Sequence, residues 1–391
     1  MIRVVPDVAQ ASRNQPRSVT VALIGSPTRT NVQIVYAWRG LGLDARVLWA
    51  AEAVENLGEG DTAVFRLDVL PTLDGIEPGL EIAPVLEECG LRVLNGPAAL
   101  LATHDKLVTA VRFEEAGIPH PWTRHAEPGK PLPAVPFPCV LKPRFGSWGQ
   151  DVLLCNTSAD LARILGLIRD RPWWRRHGAI LQQLVSPVHY DIRVLVAGSH
   201  AIAGARRIAA PGEWRTNVTL GGMVVKAELP PGAEALAVRA MEAIGIDFAG
   251  VDLLPTDEGW VVLELNGAVD FDKRYALHDV DPYAAILRGL GIPLPEGDGT
   301  VFLDTGTTTD GSEEEMTKSV HGKPAQAGDE IVITGHAVGD APRTAVILEV
   351  LGEIEHQRFR VRWEDGHESI FFPGEDAVVH RPVKRGAKAS A

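Results

Sequence analysis

The sequence predicts a mainly α/β protein that carries a small all-β unit at its C-terminal end. Strand-like apolar runs alternate with helical patterns from residue 18 to about residue 300, which is typical of sheets covered by helices. Residues 301–325 are rich in Thr, Asp, Gly, Ser and Glu, so they are predicted to form a flexible linker. Short alternating runs separated by Gly and Asp turns follow, and they predict a barrel of four or five strands.

Composition excludes some classes of protein. The chain has 391 residues, which is enough for two or three domains, and a formal net charge of −13. That charge argues against a nucleic-acid binder or a protein of anionic membrane surfaces. Three cysteines without a CxxC pair suit a reducing compartment. With no apolar run of about 18 residues and no signal peptide, the sequence predicts a cytoplasmic protein.

The N-terminal region is predicted to begin with a disordered lead, residues 1–17, followed by a parallel α/β domain at residues 18–97. Apolar runs predict four strands, at residues 19–25, 45–49, 62–67 and 91–95. A helix with Val32, Val35, Tyr36 and Leu43 on its apolar face is predicted after the first strand, and another at residues 80–89. The sequence Asn95-Gly-Pro ends this domain.

A second domain is predicted at residues 98–300. Residues 98–115 have the pattern of one continuous helix, and Gly117-Ile-Pro provides its stop signal. After a Pro-rich stretch, the strand Cys139-Val-Leu-Lys-Pro begins the part of the chain in which the polar motifs occur.

The first motif is Lys142 on that strand, followed by a loop that contains Gly146, Ser147 and Gly149. Glycines allow backbone N–H groups to approach phosphate oxygens, and the lysine supplies a positive charge. The lysine precedes the glycines, so this is not a Walker A loop. An ordinary hairpin loop is the alternative.

The second motif consists of Asp252, Glu264 and Asn266. A polar turn at residues 256–259 is predicted to join two strands and to bring Asp252 beside Glu264, while Glu264 and Asn266 share a strand face. Carboxylate and amide oxygens suit Mg²⁺ bound to nucleotide phosphates. An acidic surface hairpin is the alternative, although the apolar flanks indicate burial.

The third motif is a set of arginines on neighbouring predicted strands, with polar companions. Planar guanidinium groups can hold phosphates and a carboxylate substrate in bidentate fashion, and salt bridges on a sheet surface are the alternative. The set comprises Asp191, Arg193, Arg206, Arg207, Arg215 and Asn217.

In order and spacing, these motifs resemble the ATP-grasp superfamily, and more narrowly its RimK-type group of ligases. The resemblance extends from about residue 19 to residue 294 and includes Thr103-His-Asp-Lys106 and Gly212-Glu-Trp-Arg215-Thr-Asn217. It implies an ATP-grasp fold, which is an α+β fold, at residues 98–300. Residues 326–384 resemble an SH3-like domain family of unknown function found in actinobacteria, and residues 385–391 are predicted to be a tail.

The resemblance also implies roles for individual residues. ATP is expected to contact Lys106, Lys142, Gly146, Ser147, Trp148, Gly149, Gln182, Gln183, Leu184 and Asp191; the last is expected either to contact the ribose or to orient Arg193. Catalytic contacts to the γ-phosphate and acyl phosphate are expected from Arg193, Arg207, Arg215 and Asn217. The magnesium ligands are expected to be Asp252, Glu264 and Asn266. The substrate side is expected to include Gly267, Asp270, Lys273 and Arg274.

The implied activity is an ATP-dependent ligation of a carboxylate to an amine through an acyl phosphate, with release of ADP and phosphate. The implied cofactors are ATP and Mg²⁺, with Mn²⁺ as an alternative ion. The expected partners are small-molecule or peptide carboxylates and amines, including a carrier protein among the options, and a second copy of the chain in a homo-oligomer. Neither nucleic acid nor a membrane is expected. A non-catalytic ATP-binding adaptor, docking a partner through its C-terminal unit, is the alternative function.

Overall fold

A computed structural model describes residues 19–185, 189–278, 280–294, 326–333, 343–351, 358–363, 368–371 and 377–380. The predicted lead, linker and tail (residues 1–17, 301–325 and 385–391) lie outside the described residues. The chain divides into two compact units, with the division between Gly299 and Thr300. The first unit contains both predicted α/β regions, and a domain boundary inside it at residue 97 stays a prediction.

The N-terminal sheet is parallel, as predicted, because each strand is followed by a segment that returns the chain to the same edge of the sheet. Its strand order is β2-β1-β3-β4. The strands are β1 (Thr20–Ile24), β2 (Asp44–Leu48), β3 (Thr62–Phe65) and β4 (Arg92–Leu94), and the helices are α1 (Arg29–Gly40), α2 (Ala50–Asn56) and α3 (Ala83–Glu88). A 3₁₀ turn, Leu80–Ile82, precedes α3.

The buried face of α1 differs from the predicted one. Tyr36 is 79% exposed and Val32 is also exposed, whereas Ile34, Val35 and Trp38 are buried. The Trp38 indole N–H donates to the Tyr283 carbonyl at 3.0 Å. The prediction is confirmed for Val35 and wrong for Val32 and Tyr36, because α1 packs against another helix of the first unit as well as against its own sheet.

The predicted single helix at residues 98–115 is two helices, α4 (Pro97–His104) and α5 (Lys106–Ala116). Asp105 separates them in an extended conformation, and its side chain accepts hydrogen bonds from the backbone N–H groups of Leu107 and Val108. The same carboxylate accepts two hydrogen bonds from Arg144, at 2.7 and 2.6 Å. A distant arginine therefore holds Asp105 as the cap of a new helix, which the local pattern does not indicate.

Two antiparallel sheets form the rest of the first unit. The smaller sheet has the order β5-β8-β6-β7 and the larger has the order β11-β10-β9-β12-β13. The strands are β5 (Thr123–Ala126), β6 (Cys139–Pro143), β7 (Leu153–Cys155), β8 (Ala179–Gln183), β9 (Tyr190–Ala197), β10 (His200–Ile208), β11 (Met223–Lys226), β12 (Phe248–Thr256) and β13 (Gly259–Asn266). The helices are α6 (Ser158–Ile168), α7 (Pro172–His177), α8 (Ala233–Ile244) and α9 (Pro282–Gly289), with 3₁₀ turns at Val218–Leu220 and Lys273–Tyr275.

The predicted juxtaposition of Asp252 and Glu264 is confirmed, because the two residues are direct partners in the antiparallel β12–β13 pair. A register shift follows Asp252, so Leu253 pairs with Val262. Such a bulge increases local twist and re-aims side chains, which is common beside functional sites.

The second unit contains an antiparallel sheet, which confirms its all-β class. Its strands are β14 (Glu330–Ile333), β15 (Arg343–Leu351), β16 (Arg358–Trp363), β17 (Glu368–Phe371) and β18 (Ala377–His380), in the order β17-β16-β15-β14-β18. Ile331, Ala345, Ile347, Phe359 and Val361 form its buried core. An SH3-like arrangement stays a prediction. Across the described ranges of both units, no helix is long and apolar enough to cross a membrane.

Asn95 joins the N-terminal sheet to the large sheet of the first unit. It is fully buried and has a left-handed backbone conformation, with φ of 56°. Its Nδ2 donates to the carbonyls of Phe65 and Phe248, at 3.0 and 2.9 Å, and its Oδ1 accepts from the N–H groups of Asp247 and Phe248. All four side-chain hydrogen bonds are therefore made to backbone groups, and these groups would lose their partners if the amide were removed.

We expect Asn95→Ala to lower the free energy of unfolding by about 3 kcal/mol or more, because buried carbonyls and N–H groups lose their partners. Chemical denaturation followed by circular dichroism measures this change. Asn56→Ala is the matched control, since that side chain is exposed and bonds only a carbonyl of its own helix. Equal stability of the two variants would contradict the role assigned to Asn95.

Candidate active site

A cavity lies between the two antiparallel sheets of the first unit, and its empty space, including the part open to solvent, is about 890 Å³. Strands β6 and β8 form one wall, β12 and β13 form the other, and the loops that follow β6 and β10 contribute polar residues. Predicted site residues that line the cavity are Lys106, Lys142, Gly146, Ser147, Gly149, Gln182, Gln183, Leu184, Arg215, Asn217 and Glu264.

The other predicted site residues lie outside the lining of this cavity. Trp148 is 40% exposed and belongs to the glycine-containing loop. Asp191, Arg193, Arg207, Asp252 and Asn266 form a hydrogen-bonded network on the large sheet. The predicted substrate-side residues follow the end of β13; they are Gly267, Asp270, Lys273 and Arg274.

Two lysines and a glutamate form the charged end of the cavity. The Lys106 ammonium donates to the Gly146 carbonyl at 2.6 Å and lies 3.4 Å from Glu264 Oε2. Lys142 is only 4% exposed, and burial, with the neighbouring charge of Lys106, lowers its pKa to about 8. Burial raises the pKa of Glu264, but the charges of both lysines outweigh it and leave that pKa below its ordinary value. The cavity therefore presents two ammonium groups balanced by one carboxylate.

The buried network alternates acidic and basic groups along neighbouring strands. Asp191 of β9 accepts two hydrogen bonds from Arg207 of β10, one of them from Nε at 2.7 Å. Arg207 also donates to Asp252 Oδ2 at 2.7 Å. Asp252 of β12 in turn accepts from Nε and Nη2 of Arg193, at 2.7 and 2.8 Å. Burial opposes ionisation of Asp252, yet these two arginines lower its pKa to about 2.

The position of Asp191 corrects its expected role. The residue is fully buried, and it does not line the cavity, so it is not placed to contact a ribose. Its partner is Arg207 and not Arg193, and it also accepts a hydrogen bond from the Thr216 hydroxyl at 2.5 Å. Asp191 thus holds an arginine and anchors the loop after β10, and sequence order alone gives no signal for that pairing.

The predicted magnesium ligands differ in how free they are to bind a cation. Asn266 Nδ2 donates to Asp252 at 3.3 Å, which orients the amide and leaves Oδ1 as the remaining ligand atom. Glu264 lines the cavity, so Glu264 and Asn266 fit a hard cation beside nucleotide phosphates. Asp252 already accepts hydrogen bonds from two arginines and an amide. Among the described residues, no group of three or more His, Cys, Asp or Glu is placed to hold a metal ion.

Arg215 connects the glycine-containing loop to the loop after β10. Its Nη1 donates to the carbonyls of Gly149 and Val152, at 3.1 and 3.3 Å, while Nε and Nη2 donate to Glu213. The hydrogen bonds that Glu213 accepts from Arg215 lower the pKa of Glu213 to about 2. Gly149 has a φ of 72°, and a Cβ there would lie 2.7 Å from Asn217 Oδ1. The two loops therefore meet so closely that only glycine fits at this position.

Several cavity residues were not among the predicted site residues. The apolar walls come from Val140, Val152, Val185, Leu254 and Leu263, and the rim includes His189, Tyr190, Trp214 and Thr216. Leu254 was detectable in principle, because it lies two residues after Asp252 on the same strand and so shares a face with it. Glu213 carries no comparable signal, since its importance depends on the spatial position of Arg215.

Comparison with known sequences gives a match to the RimK-like ATP-grasp domain over residues 125–288, and to a domain of unknown function, DUF1918, over residues 324–379. A probable alpha-L-glutamate ligase of Legionella pneumophila (strain Corby) is 30% identical over 215 residues, covering 51% of this chain and 70% of that protein. Human N-acetylaspartylglutamate synthase A is 32% identical over 199 residues, covering 48% of this chain and 49% of that protein.

Solved structures share the fold at lower sequence identity. A RimK domain ATP-grasp protein from Sphaerobacter thermophilus has a TM-score of 0.52 at 21% identity, covering 70% of this chain and 99% of that one. D-alanine–D-alanine ligase from Bacillus anthracis, solved with ATP, has a TM-score of 0.52 at 15% identity and covers 70% and 96% of the two chains. The likeness shows the same fold.

We expect Asp191→Ala to lower the free energy of unfolding by about 3 kcal/mol or more, because it removes a bidentate partner from the buried Arg207. Thermal and chemical denaturation measure the change. Asp170→Ala is the control, since Asp170 also pairs with two arginines but does so on the surface, where the unfolding midpoint is expected to stay constant. A similar midpoint shift in both variants would argue against a structural role for the buried network.

Proposed function

The chain belongs to the RimK-like ATP-grasp family, and we propose that it joins a substrate carboxylate to an amine, with L-glutamate as one of its two substrates. The observation that carries the proposal is the convergence of Lys106, Lys142 and Glu264 in one cavity beside a buried arginine network. The names of its relatives, a probable alpha-L-glutamate ligase and an N-acetylaspartylglutamate synthase, support ATP-dependent ligation of a carboxylate to an amine.

The mechanism follows from the charges in the cavity. A carboxylate oxygen of the acid attacks the γ-phosphorus of ATP, which gives ADP and an acyl phosphate. The amine nitrogen then attacks the acyl carbon, phosphate leaves, and the amine loses a proton as the amide forms. Lys106 and Lys142 neutralise phosphate charge in the cavity, and Arg207 and Arg193, which lie outside its lining, contribute positive charge that Asp191 and Asp252 hold in place.

Magnesium is the proposed metal cofactor, with Mn²⁺ as an alternative ion, and Glu264 and Asn266 are its proposed ligands. The metal supplies charge neutralisation at the phosphates. Asp252 is proposed to contribute mainly by fixing Arg193 and Arg207, because its hydrogen bonds are already made to them. The Gly146–Gly149 loop, held by Arg215, is proposed to cover the triphosphate and to exclude water from the acyl phosphate.

L-glutamate as a substrate is supported by the names of the relatives, an alpha-L-glutamate ligase and an N-acetylaspartylglutamate synthase. The second substrate is proposed to be a small molecule or a peptide, with a carrier protein as an alternative. The chain is also proposed to form a homo-oligomer. A cytoplasmic location is also proposed, because ATP is available there. The non-catalytic adaptor is disfavoured by the ligase relatives.

The decisive experiment measures ADP release from Mg-ATP with L-glutamate and a panel of carboxylates, amines and short peptides, with mass spectrometry of the products. We expect ADP and phosphate to appear only with a matched pair, together with a condensed mass that is one water smaller than the sum. ATP hydrolysis without a condensed product, or tight ATP binding without any ADP, would count against the ligase.

We expect Glu264→Gln to reduce ADP formation about a hundredfold or more at fixed Mg²⁺, because one anionic ligand of the metal is removed. Raising Mg²⁺ is expected to restore part of the rate. Glu258→Gln on the exposed turn of the same hairpin is the control. This substitution is cleaner than Asp252→Asn, which would remove a carboxylate charge that both Arg193 and Arg207 pair with. Wild-type kinetics in a folded Glu264→Gln protein would rule out this metal ligand.

The pKa of Lys142 predicts how ATP affinity depends on pH. Below about pH 8 the free protein already carries the Lys142 proton, whereas above it nucleotide binding has to take up a proton. ATP affinity is therefore expected to be constant below that pH and to fall by up to about tenfold per pH unit above it. Calorimetry between pH 7 and pH 9.5 tests this, and Lys142→Arg is expected to bind without the change in slope. The same slope in both proteins would assign the titration to another group.

A further inference from the structure

Helices α4 and α5 meet the small sheet at the charged end of the cavity. Both helices pack against α8 and β13, which belong to the large-sheet side of the cavity, and α5 also contacts β5 of the small sheet. Arg112 of α5 donates to the Ile244 carbonyl at the end of α8, at 2.7 Å. Strand β6 of the small sheet ends at Pro143, and Arg144 follows it. The junction of α4 and α5 is therefore a place where the two walls of the cavity can be held at a fixed separation.

An ion pair between Asp105 and Arg144 crosses this junction. Its two hydrogen bonds run from Nε to Oδ1 at 2.7 Å and from Nη2 to Oδ2 at 2.6 Å, which is the parallel fork geometry of strong arginine–carboxylate pairs. The Asp105 side chain is 6% exposed and that of Arg144 is 23% exposed, so solvent and salt screen the pair only weakly. A planar fork bound in this way fixes both the distance and the relative orientation of the two segments that carry it.

Capping of α5 does not by itself account for this pair. The backbone N–H groups of Leu107 and Val108 both donate to Oδ1 of Asp105, so the cap needs a single oxygen, which a serine or an asparagine would also provide. The second oxygen, Oδ2, is directed to Nη2 of Arg144. The aspartate therefore has a second role, which is to bind the arginine that follows β6.

Lys106 is the cavity residue whose position depends on the ion pair. It directly follows Asp105, its backbone N–H donates to the Arg144 carbonyl at 3.1 Å, and an isolated antiparallel bridge pairs Asp105 with Phe145. The Lys106 ammonium group reaches the Gly146 carbonyl at 2.6 Å. The two segments are thus aligned by backbone contacts, by an ion pair and by an ammonium group. Asp105 and Arg144 lie outside the cavity lining, whereas Lys106 and Gly146 belong to it.

We propose that Asp105 and Arg144 are positioning residues for the nucleotide and that their ion pair acts through Lys106. The pair sets the backbone position from which the long, flexible lysine side chain reaches the phosphates, and an error of about 1 Å there would weaken the contact. The inference rests on the proposed ligase function, in which Lys106 neutralises phosphate charge. It adds a device that holds the two walls of the cavity in register at the phosphate end, without contacting the nucleotide itself.

The test compares the affinities for Mg-ADP and adenosine, two ligands that share the nucleoside and differ in the phosphates. Calorimetry on the full chain measures both, and neither ligand is turned over. Arg144→Gln is expected to weaken Mg-ADP binding about tenfold or more and to leave adenosine within about twofold of the wild-type affinity, because only the phosphates meet Lys106. Arg144→Lys is expected to recover part of the lost affinity, since an ammonium group keeps the charge but not the fork. Asp105 keeps its two cap hydrogen bonds in both variants.

Arg46→Gln is the matched control. Arg46 also donates two hydrogen bonds to an aspartate, Asp44 of β2, and it lies outside the cavity lining, so both affinities are expected to stay constant. A double-mutant cycle with Lys106→Met then tests whether the effect passes through the lysine. In the Lys106→Met background, Arg144→Gln is expected to weaken Mg-ADP binding by no more than about twofold.

Equal weakening of Mg-ADP and adenosine in Arg144→Gln would overturn the proposal, because a general loosening of the fold would then explain the effect. Unchanged Mg-ADP affinity, or losses that add fully in the cycle, would overturn it as well. Where thermal unfolding shows that Arg144→Gln does not fold, Arg144→Lys carries the same comparison. ADP release tests the ligase function separately, so a phosphate-specific loss in a protein that forms no amide would reject the ligase and keep the positioning pair.

Discussion

Four alternating charges, Asp191, Arg207, Asp252 and Arg193, are the interaction on which the first unit depends. Three of them are buried and Arg193 is half-buried, and removing charged groups from water is so costly that the arrangement is stable only when each group has well-placed partners. Their hydrogen bonds connect β9, β10 and β12 side by side and reach the loop after β10 through Thr216. The large sheet and the two arginines are thus fixed by the same contacts.

This rigidity has a functional consequence for phosphoryl and acyl transfer. Arginines whose forks are already bonded to carboxylates do not need to reorganise when charge develops on a substrate. The lysines have the opposite character, because Lys142 is buried with its pKa lowered and Lys106 is balanced by Glu264. A bound triphosphate would supply the negative charge that this end of the cavity lacks. The structure therefore separates an arginine network paired with two aspartates from two lysines that share one glutamate.

The N-terminal sheet is attached to this centre by polar contacts at several points. Asn95 bonds the backbone of β12, Arg66 bonds the Val269 carbonyl, and Arg92 bonds the carbonyls of Leu290 and Gly291. Because the hydrogen bonds of Asn95 and Arg66 to backbone groups are buried, the carboxyl edge of the N-terminal sheet is held in a defined position beside the loop after β13.

The sequence by itself determined what depends on local periodicity and on residue type: the parallel N-terminal sheet, the all-β second unit, the pairing of Asp252 with Glu264 across a short turn, and the lysine and glycines of the cavity. Hydrophobic period and strand-face alternation encode these features within a few residues. Only the tertiary structure decided which charges meet. Asp105 divides a predicted helix because Arg144 binds it, Asp191 holds Arg207 and not Arg193, and α1 buries Trp38 while Tyr36 stays exposed. These outcomes depend on contacts between residues distant in sequence, and no local pattern records the free energy that such contacts contribute.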